Sequence, residues 1–337
     1  PAVTKSALEE LDREHDVVCA VFLGGTEKIG SDKDLAVLGV PIVKDADYLA
    51  AISRAVKEYT PDQVIDLSDE PVLGYRERFA IASLVLAHGV VYSGADFEFR
   101  PPKQNVTLKK ASISVVGTGK RIGKTAIGGY VARVLAKEFK PIVVTMGRGG
   151  PAEPELIPGT ELNINPEYLL SVSRQGKHAS SDHYEDTLTS RVTTIGSRRY
   201  GGGMSGQTYF SNVDRAARLS EQTDENIVVF EGSGCTIPSV RTDAQILVVG
   251  AHQPLDYITS YLGPYRVRTS DIIIITMCEP PMAEDSQVKA MYDTVKALNP
   301  DAFVARTVFR PRPLEDLSGK RVAVCLTASK KMAGTIA

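Results

Sequence analysis

The chain has no tryptophan among its 337 residues and only four cysteines, Cys19, Cys235, Cys278 and Cys325. These cysteines are far apart, form no Cys-x-x-Cys pair and lie in or beside apolar strand-like runs. They read as reduced core residues, which argues against a disulfide framework or a thiolate zinc centre. No apolar run approaches the roughly 20 residues that span a bilayer, and no signal peptide opens the chain, so no membrane partner is expected and the cytoplasm is the expected location. The formal charge of −2 offers no global attraction to nucleic acid, so any basic site has to be local. Internal repeats, coiled-coil heptads and low-complexity tails are missing too. What remains is 43% hydrophobic and 24% charged, an ordinary soluble composition long enough for about two domains.

Residues 1–100 alternate helical and strand patterns: helix 3–14, strand 16–23, helix 45–58, strand 62–66, helix 75–88 and strand 89–92. Such alternation predicts a Rossmann-like α/β domain with a parallel sheet. The Pro-rich stretch 101–110 reads as a linker, and residues 111–337 as a second α/β domain with strands at 112–116, 141–146, 226–231, 245–250, 271–277, 302–308 and 321–326. Pro1 enters a helical pattern directly and Ala337 ends within another, so both terminal domains are expected to continue in a longer chain.

The strongest chemical signal follows the strand 112–116. Gly117-Thr-Gly-Lys-Arg-Ile-Gly-Lys-Thr125 is a glycine-rich turn that opens a helical pattern. Backbone N–H groups of such a turn converge on phosphate oxygens and the helix start adds positive partial charge. Nucleotide contacts are therefore expected from Gly117, Thr118, Gly119, Lys120, Arg121, Ile122, Gly123, Lys124, Thr125 and Ala126. Lys124 would reach the β- and γ-phosphates, and the Thr125 hydroxyl would ligate Mg²⁺. The first Gly stands one position earlier than in the common spacing, so the loop is one residue longer.

A second piece is Ile227-Val-Val-Phe-Glu231-Gly-Ser-Gly234, a buried strand that ends in one carboxylate. That places Glu231 at the carboxyl edge of the sheet, where ligands bind in open α/β folds, available to hold Mg²⁺ opposite Thr125. Ser233 and Gly234 join the substrate-binding candidates.

The extended loop resembles that of dethiobiotin synthetase and its relatives, and Val229-Phe-Glu231-Gly-Ser-Gly234 resembles their Val-Glu-Gly-Ala-Gly motif. The resemblance implies a phosphate-loop NTPase domain of that type, with Ser181-Asp182 matching the family's Ser-Asp pair and Asp182 completing the metal site. The chain as a whole is similar to the archaeal cyclic 2,3-diphosphoglycerate synthetase family. The similarity includes Asp66-Leu-Ser-Asp-Glu-Pro71, Thr145-Met-Gly-Arg-Gly-Gly-Pro151 and a basic insert between strands 141–146 and 226–231. It implies an ATP-dependent ligase that closes 2,3-bisphosphoglycerate into a cyclic internal pyrophosphate and releases ADP and phosphate. The implied cofactors are ATP and Mg²⁺, and the implied partners are that small molecule and a second copy of the chain in a homodimer.

So anionic a substrate beside ATP demands cations, because phosphoryl transfer is catalysed mainly by positioning and electrostatics. Lys124, Lys120 and Arg148 are the catalytic candidates. Arg148, Gly149 and Gly150 follow strand 141–146 at the same sheet edge and are assigned to substrate phosphate. Lys177, His178, Arg198 and Arg199 of the insert join them, and glycines 201–203 would let that loop close as a lid. No Asn-Lys-x-Asp guanine signature follows strand 271–277, so adenine is expected, with Arg310 and Pro311 placed at the base. In the first domain, Gly24-Gly25 and Asp66-Leu-Ser-Asp69 end strands where a second ligand could bind. Two alternatives stay open: another carboxylate- or carbamate-activating synthetase, dependent on an amine or ammonia, and a phosphate-loop switch ATPase stimulated by a protein partner.

Overall fold

A computed structural model describes residues 2–23, 35–159, 162–179, 182–310, 313 and 315–323. The chain divides into two compact units, one of residues 1–101 with 260–268, the other running from Pro102 to Thr259 and from Thr269 onward.

The first unit comprises α1 (Ala2–Leu11), β1 (Ala20–Val21), β2 (Ile42–Val43), α2 (Tyr48–Tyr59), β3 (Gln63–Ile65), α3 (Tyr75–Ala87), β4 (Val91–Ser93) and β5 (Glu98–Phe99). Its strands pair in two small sheets: β1 parallel to β2, and β4 between a parallel β3 and an antiparallel β5. Asp47 starts α2 by accepting the Leu49 N–H at 2.9 Å. Helix α3 buries six consecutive residues, Ile81 to Leu86, so it is covered all round rather than along one stripe. Part of that cover comes from far along the sequence. Ser83 donates to the Tyr261 carbonyl at 3.2 Å and Phe79 meets the Tyr261 ring edge-on at 5.2 Å, which draws residues 260–268 into this unit.

The second unit contains β6 (Val106–Thr107), β7 (Ala111–Gly117), α4 (Lys124–Leu135), β8 (Pro141–Gly147), β9 (Glu155–Ile157), α5 (Pro166–Arg174), α6 (Asp182–Ser190), β10 (Thr194–Tyr200), β11 (Phe210–Ser211) and α7 (Val213–Ser220). It continues with β12 (Ile227–Glu231), β13 (Val240–Arg241), β14 (Ala244–Gly250), α8 (Asp256–Thr259), β15 (Ile272–Thr276), α10 (Asp285–Leu298) and β16 (Phe303–Arg306), while α9 (Gly263–Arg268) belongs to the first unit.

Strands β10, β8, β12, β7, β14, β15 and β16 lie side by side in that order, all parallel, and β9 and β11 pair antiparallel to β10. A sheet buried on both faces needs apolar residues at every position rather than alternate ones, and β8 is buried along its whole length. Ile142, Val144, Val228 and Phe230 face α7, whereas Val143, Val229, Val115 and Val248 pack with Ile127 and Ala132 of α4. Register then aligns the functional edge. Glu231 stands level with Val115 and Thr145, so Gly117 and Gly147 project two residues past it.

The α/β architecture with a parallel-dominated sheet is the one read from the sequence. The insert between β8 and β12 differs from its reading as one long loop: it folds into β9, α5, α6, β10, β11 and α7. Strand 16–23 contracts to two residues. Residues 321–323 of the expected strand 321–326 are irregular, and the rest of that strand lies outside the described residues, as do Gly24-Gly25.

Candidate active site

The turn from Gly117 to Gly123 carries β7 into α4. Gly123 starts the helix with φ +85°, and a side chain there would run into the Phe309 ring, so glycine is required twice over. Arg121 also takes a left-handed φ of +58°. Thr118 ties the loop to the neighbouring β14, with its N–H on the Val248 carbonyl at 3.2 Å and its hydroxyl on Gln253 Oε1 at 2.6 Å. Lys120, Arg121 and Ala126 are exposed, while Gly117, Thr118, Gly119, Ile122 and Lys124 are buried.

Lys124 folds back over the loop and donates from Nζ to the Gly119 carbonyl at 2.6 Å. Burial lowers its pKa, opposed by the nearby Glu231, Cys235 and Asp182. Thr125 donates its hydroxyl to Glu231 Oε1 at 2.9 Å, and Glu231 is itself only 7% exposed. Asp182 opens α6 directly against Gly147, where an added Cβ would stand 2.9 Å from Oδ2. All these groups line one cleft of about 610 Å³, together with Lys120, Arg121, Arg148, Gly149, His178, Ser233 and Gly234.

A second cavity of about 450 Å³ shares Lys120, Arg148 and Gly234 with the first and is walled by Arg199, Cys235, Thr236 and glycines 201–203. Arg199 is 4% exposed and donates from Nη2 to the Ser233 carbonyl at 2.7 Å. Burial and Arg148 push its pKa down, and Asp182 and Cys235 push it up.

Two insert residues stand elsewhere. Successive side chains of a strand point to opposite faces, so Arg199 enters the cavity while Arg198 turns away and donates from Nε to the Gly150 carbonyl at 2.8 Å. Arg198 thus braces the turn that carries Arg148. Gly150 is packed onto the Ser197 carbonyl, where no side chain fits. Lys177 pairs with Glu155 at 2.7 Å and lines neither cavity. Arg310 forms an exposed pair with Glu279 at 2.6 Å, next to the Phe309 ring that abuts Gly123; Pro311 and Ser181 lie outside the described residues.

Asp186 was missed in the sequence. It is 2% exposed, lines the main cleft beside Glu231, and its Oδ2 has no hydrogen-bond partner. Burial, reinforced by Glu231, Asp182 and Glu185, raises its pKa well above the ordinary carboxylate value, which favours the protonated form. The available signal was the i, i+4 spacing from Asp182, which puts both acids on one helix face. In the first unit, Asp66 is fully engaged: Arg78 Nε at 3.0 Å, the Tyr92 hydroxyl at 2.9 Å and the Ser68 N–H at 2.8 Å all donate to it. It locks its own turn.

Family models settle the kinship of this site. Residues 112–308 match the cyclic 2,3-diphosphoglycerate synthetase P-loop domain, and residues 1–100 match the N-terminal domain of the same synthetase. The chain belongs to the cyclic 2,3-diphosphoglycerate synthetase family. It is therefore an enzyme of the ligase class with a nucleotide-binding P-loop domain. The cyclic 2,3-diphosphoglycerate synthetase of Thermococcus gammatolerans is 51% identical over 98% of this chain and 75% of its own length. That of Rubrobacter xylanophilus is 49% identical over 94% of this chain and 72% of its own. Among solved structures, the hydrogenase maturation factor HypB from Archaeoglobus fulgidus aligns with 59% of this chain and 81% of its own at 16% identity, with a TM-score of 0.38. No helix among the described residues is long and apolar enough to cross a membrane.

Proposed function

We infer that the enzyme uses ATP and Mg²⁺ to close 2,3-bisphosphoglycerate into its cyclic 2,3-diphosphate, forming one internal phosphoanhydride and releasing ADP and phosphate. The observation that carries this reading is the pair of adjoining cavities joined at Lys120 and Arg148. One has the apparatus of a phosphate loop, and the other is a basic chamber of a size suited to a small polyanion.

The residues present fit a nucleotide with its cation. Lys124 is held within the loop at 2.6 Å from the Gly119 carbonyl and is released to phosphate when a triphosphate enters. Thr125, Asp182 and Glu231 offer a hydroxyl and two carboxylates, the oxygen ligands that suit Mg²⁺. Among the described residues no three or more His, Cys, Asp and Glu gather around a common metal position, so phosphate oxygens and water would complete the shell. A bound cation there would neutralise charge developing on the transferred phosphoryl group.

In the proposed sequence an oxygen of one substrate phosphate attacks the γ-phosphorus and ADP leaves. The neighbouring substrate phosphate then attacks the phosphorus of the activated one, the ring closes and phosphate departs. Lys124, Lys120 and Arg148 would offset the charge in both steps, and Arg148 is held in place by the Arg198 contact with Gly150. The exposed Arg310 beside Phe309 is assigned to the adenine end, and the enzyme is assigned to work as a homodimer.

The test is phosphorus NMR of the full chain with ATP, Mg²⁺ and 2,3-bisphosphoglycerate. The cyclic pyrophosphate should accumulate with equimolar ADP and phosphate. Lys124→Ala should cut the rate by about 10³-fold or more with the fold intact. ATP hydrolysis without cyclic product would overturn the assignment.

A further inference from the structure

Among the described residues of the second unit, Arg199 is the one cavity-lining guanidinium that is both deeply buried and incompletely used. It carries five N–H donors. Of these, one Nη2 proton goes to the Ser233 carbonyl, and Nε has no hydrogen-bond partner. A guanidinium has two edges where a pair of N–H groups points the same way: Nε with one Nη2 proton, and Nη1 with the other. A single bond from Nη2 therefore leaves one two-pronged edge whole, and such an edge matches the two oxygens of a planar anion. Around it the wall is bare backbone. A Cβ at Gly202 would lie 3.8 Å from Nη1 and one at Gly234 only 3.3 Å from Nη2, so glycines keep the approach to the fork open.

We propose that Arg199 binds the carboxylate of the substrate within the second cavity, and so selects three-anion substrates and fixes how the two phosphates are presented. This rests on the closure reaction proposed above, and that chemistry decides which anion goes where. Both phosphates have to meet each other and the γ-phosphoryl group, so they occupy the rim shared by the two cavities, at Lys120 and Arg148. The third anion is turned away from that rim, towards Arg199. Charge matching agrees: one buried guanidinium balances one carboxylate, whereas a phosphate dianion there would leave a buried negative charge unpaired.

The experiment compares equilibrium binding of 2,3-bisphosphoglycerate and propane-1,2-diol bisphosphate, which has a methyl group in place of the carboxylate. Binding is measured on the full chain with Mg²⁺ and a non-hydrolysable ATP analogue, for wild type, Arg199→Gln and Arg199→Lys. Wild type should prefer the carboxylated ligand by about 10–100-fold, the range of a charged hydrogen-bonded pair. In Arg199→Gln that preference should fall below about 3-fold, by loss of affinity for 2,3-bisphosphoglycerate alone. Arg199→Lys keeps the charge without the fork, so it should lie between and serves if the glutamine variant does not fold. A preference that survives Arg199→Gln, or equal weakening of both ligands, would overturn the assignment, the second outcome placing Arg199 on a phosphate. Wild-type turnover of 2,3-bisphosphoglycerate, followed separately, tests the reaction itself, so the two failures are distinct.

Discussion

The Thr125 hydroxyl donates to Glu231 Oε1 at 2.9 Å, tying the first turn of α4 to the end of β12 across 106 residues of sequence. Two oxygens from different elements are thereby held where one hard cation would use both. Glu231→Gln keeps the volume and an acceptor for Thr125 but removes the charge. Melting temperature should change little, whereas cyclic product formation should drop by about 10²-fold or more and demand higher Mg²⁺. Wild-type Mg²⁺ dependence in the variant would remove Glu231 from the cation site.

Asp186 gives a sharper contrast because burial beside Glu231 raises the pKa of its carboxyl and so favours the protonated form. Asp186→Asn retains shape and a donor, so activity should stay within about 3-fold of wild type, while Asp186→Leu keeps bulk without the donor and should raise the Mg²⁺ needed for half-maximal activity by about 10-fold. If the asparagine variant were as impaired as Glu231→Gln, Asp186 would have to work as an ionised group.

Much of this site is legible in sequence because β7, β8 and β12 are buried on both faces. Their strands are therefore apolar runs broken only by the small hydroxyl residues Ser112, Ser114 and Thr145, and the residue that ends each run lands on the same edge. Legibility fails where burial is polar. Helix α6 inserts His183, Asp186, Thr187 and Ser190 into the interior, so it shows no apolar stripe and passes for loop. The pair Arg198 and Arg199 fails for another reason. Their opposite directions follow from the pleat of β10, and the sequence does not reveal which of two adjacent arginines faces the cavity until that strand is placed.

Gly147 lies under Asp182, and Gly147→Ala would put a methyl group 2.9 Å from Oδ2 and 3.1 Å from Cβ of that residue. All three of the nearest atoms belong to the Asp182 side chain, and its Cβ is fixed by the backbone, so Asp182 at the start of α6 has to shift. Overpacking of this kind costs about 1–3 kcal/mol, and displacing a ligand by an ångström costs up to about 10²-fold in rate. The expected result is a larger loss in Mg²⁺-dependent turnover than in Tm. A variant with unaltered Mg²⁺ titration would show that Asp182 does not act there.

His183 makes the fold sensitive to acid. Its ring is 3% exposed, packs tilted against Tyr184 with centroids 4.3 Å apart and sits on the bare backbone of Gly196, where a Cβ would come within 2.7 Å; neither ring nitrogen has a hydrogen-bond partner. Burial lowers its pKa to about 4, against the pull of Glu155 and Asp182. An unfolded chain takes up this proton as pH drops through about 6.5, but the folded chain does not until about pH 4. Stability is therefore full above pH 6.5 and lost progressively below it, by roughly 2 kcal/mol at pH 5 from this group alone. The raised pKa of Asp186 acts with the opposite sign, since its contribution is present at low pH and lost as pH rises. Both proteins in the comparison carry Asp186, so it cancels. Urea unfolding of wild type and His183→Phe at pH 7.5 and pH 5 should show wild type losing about 2 kcal/mol more than the variant. Equal losses would mean that His183 is already charged in the folded protein, and that Glu155, at 4.0 Å, outweighs its burial.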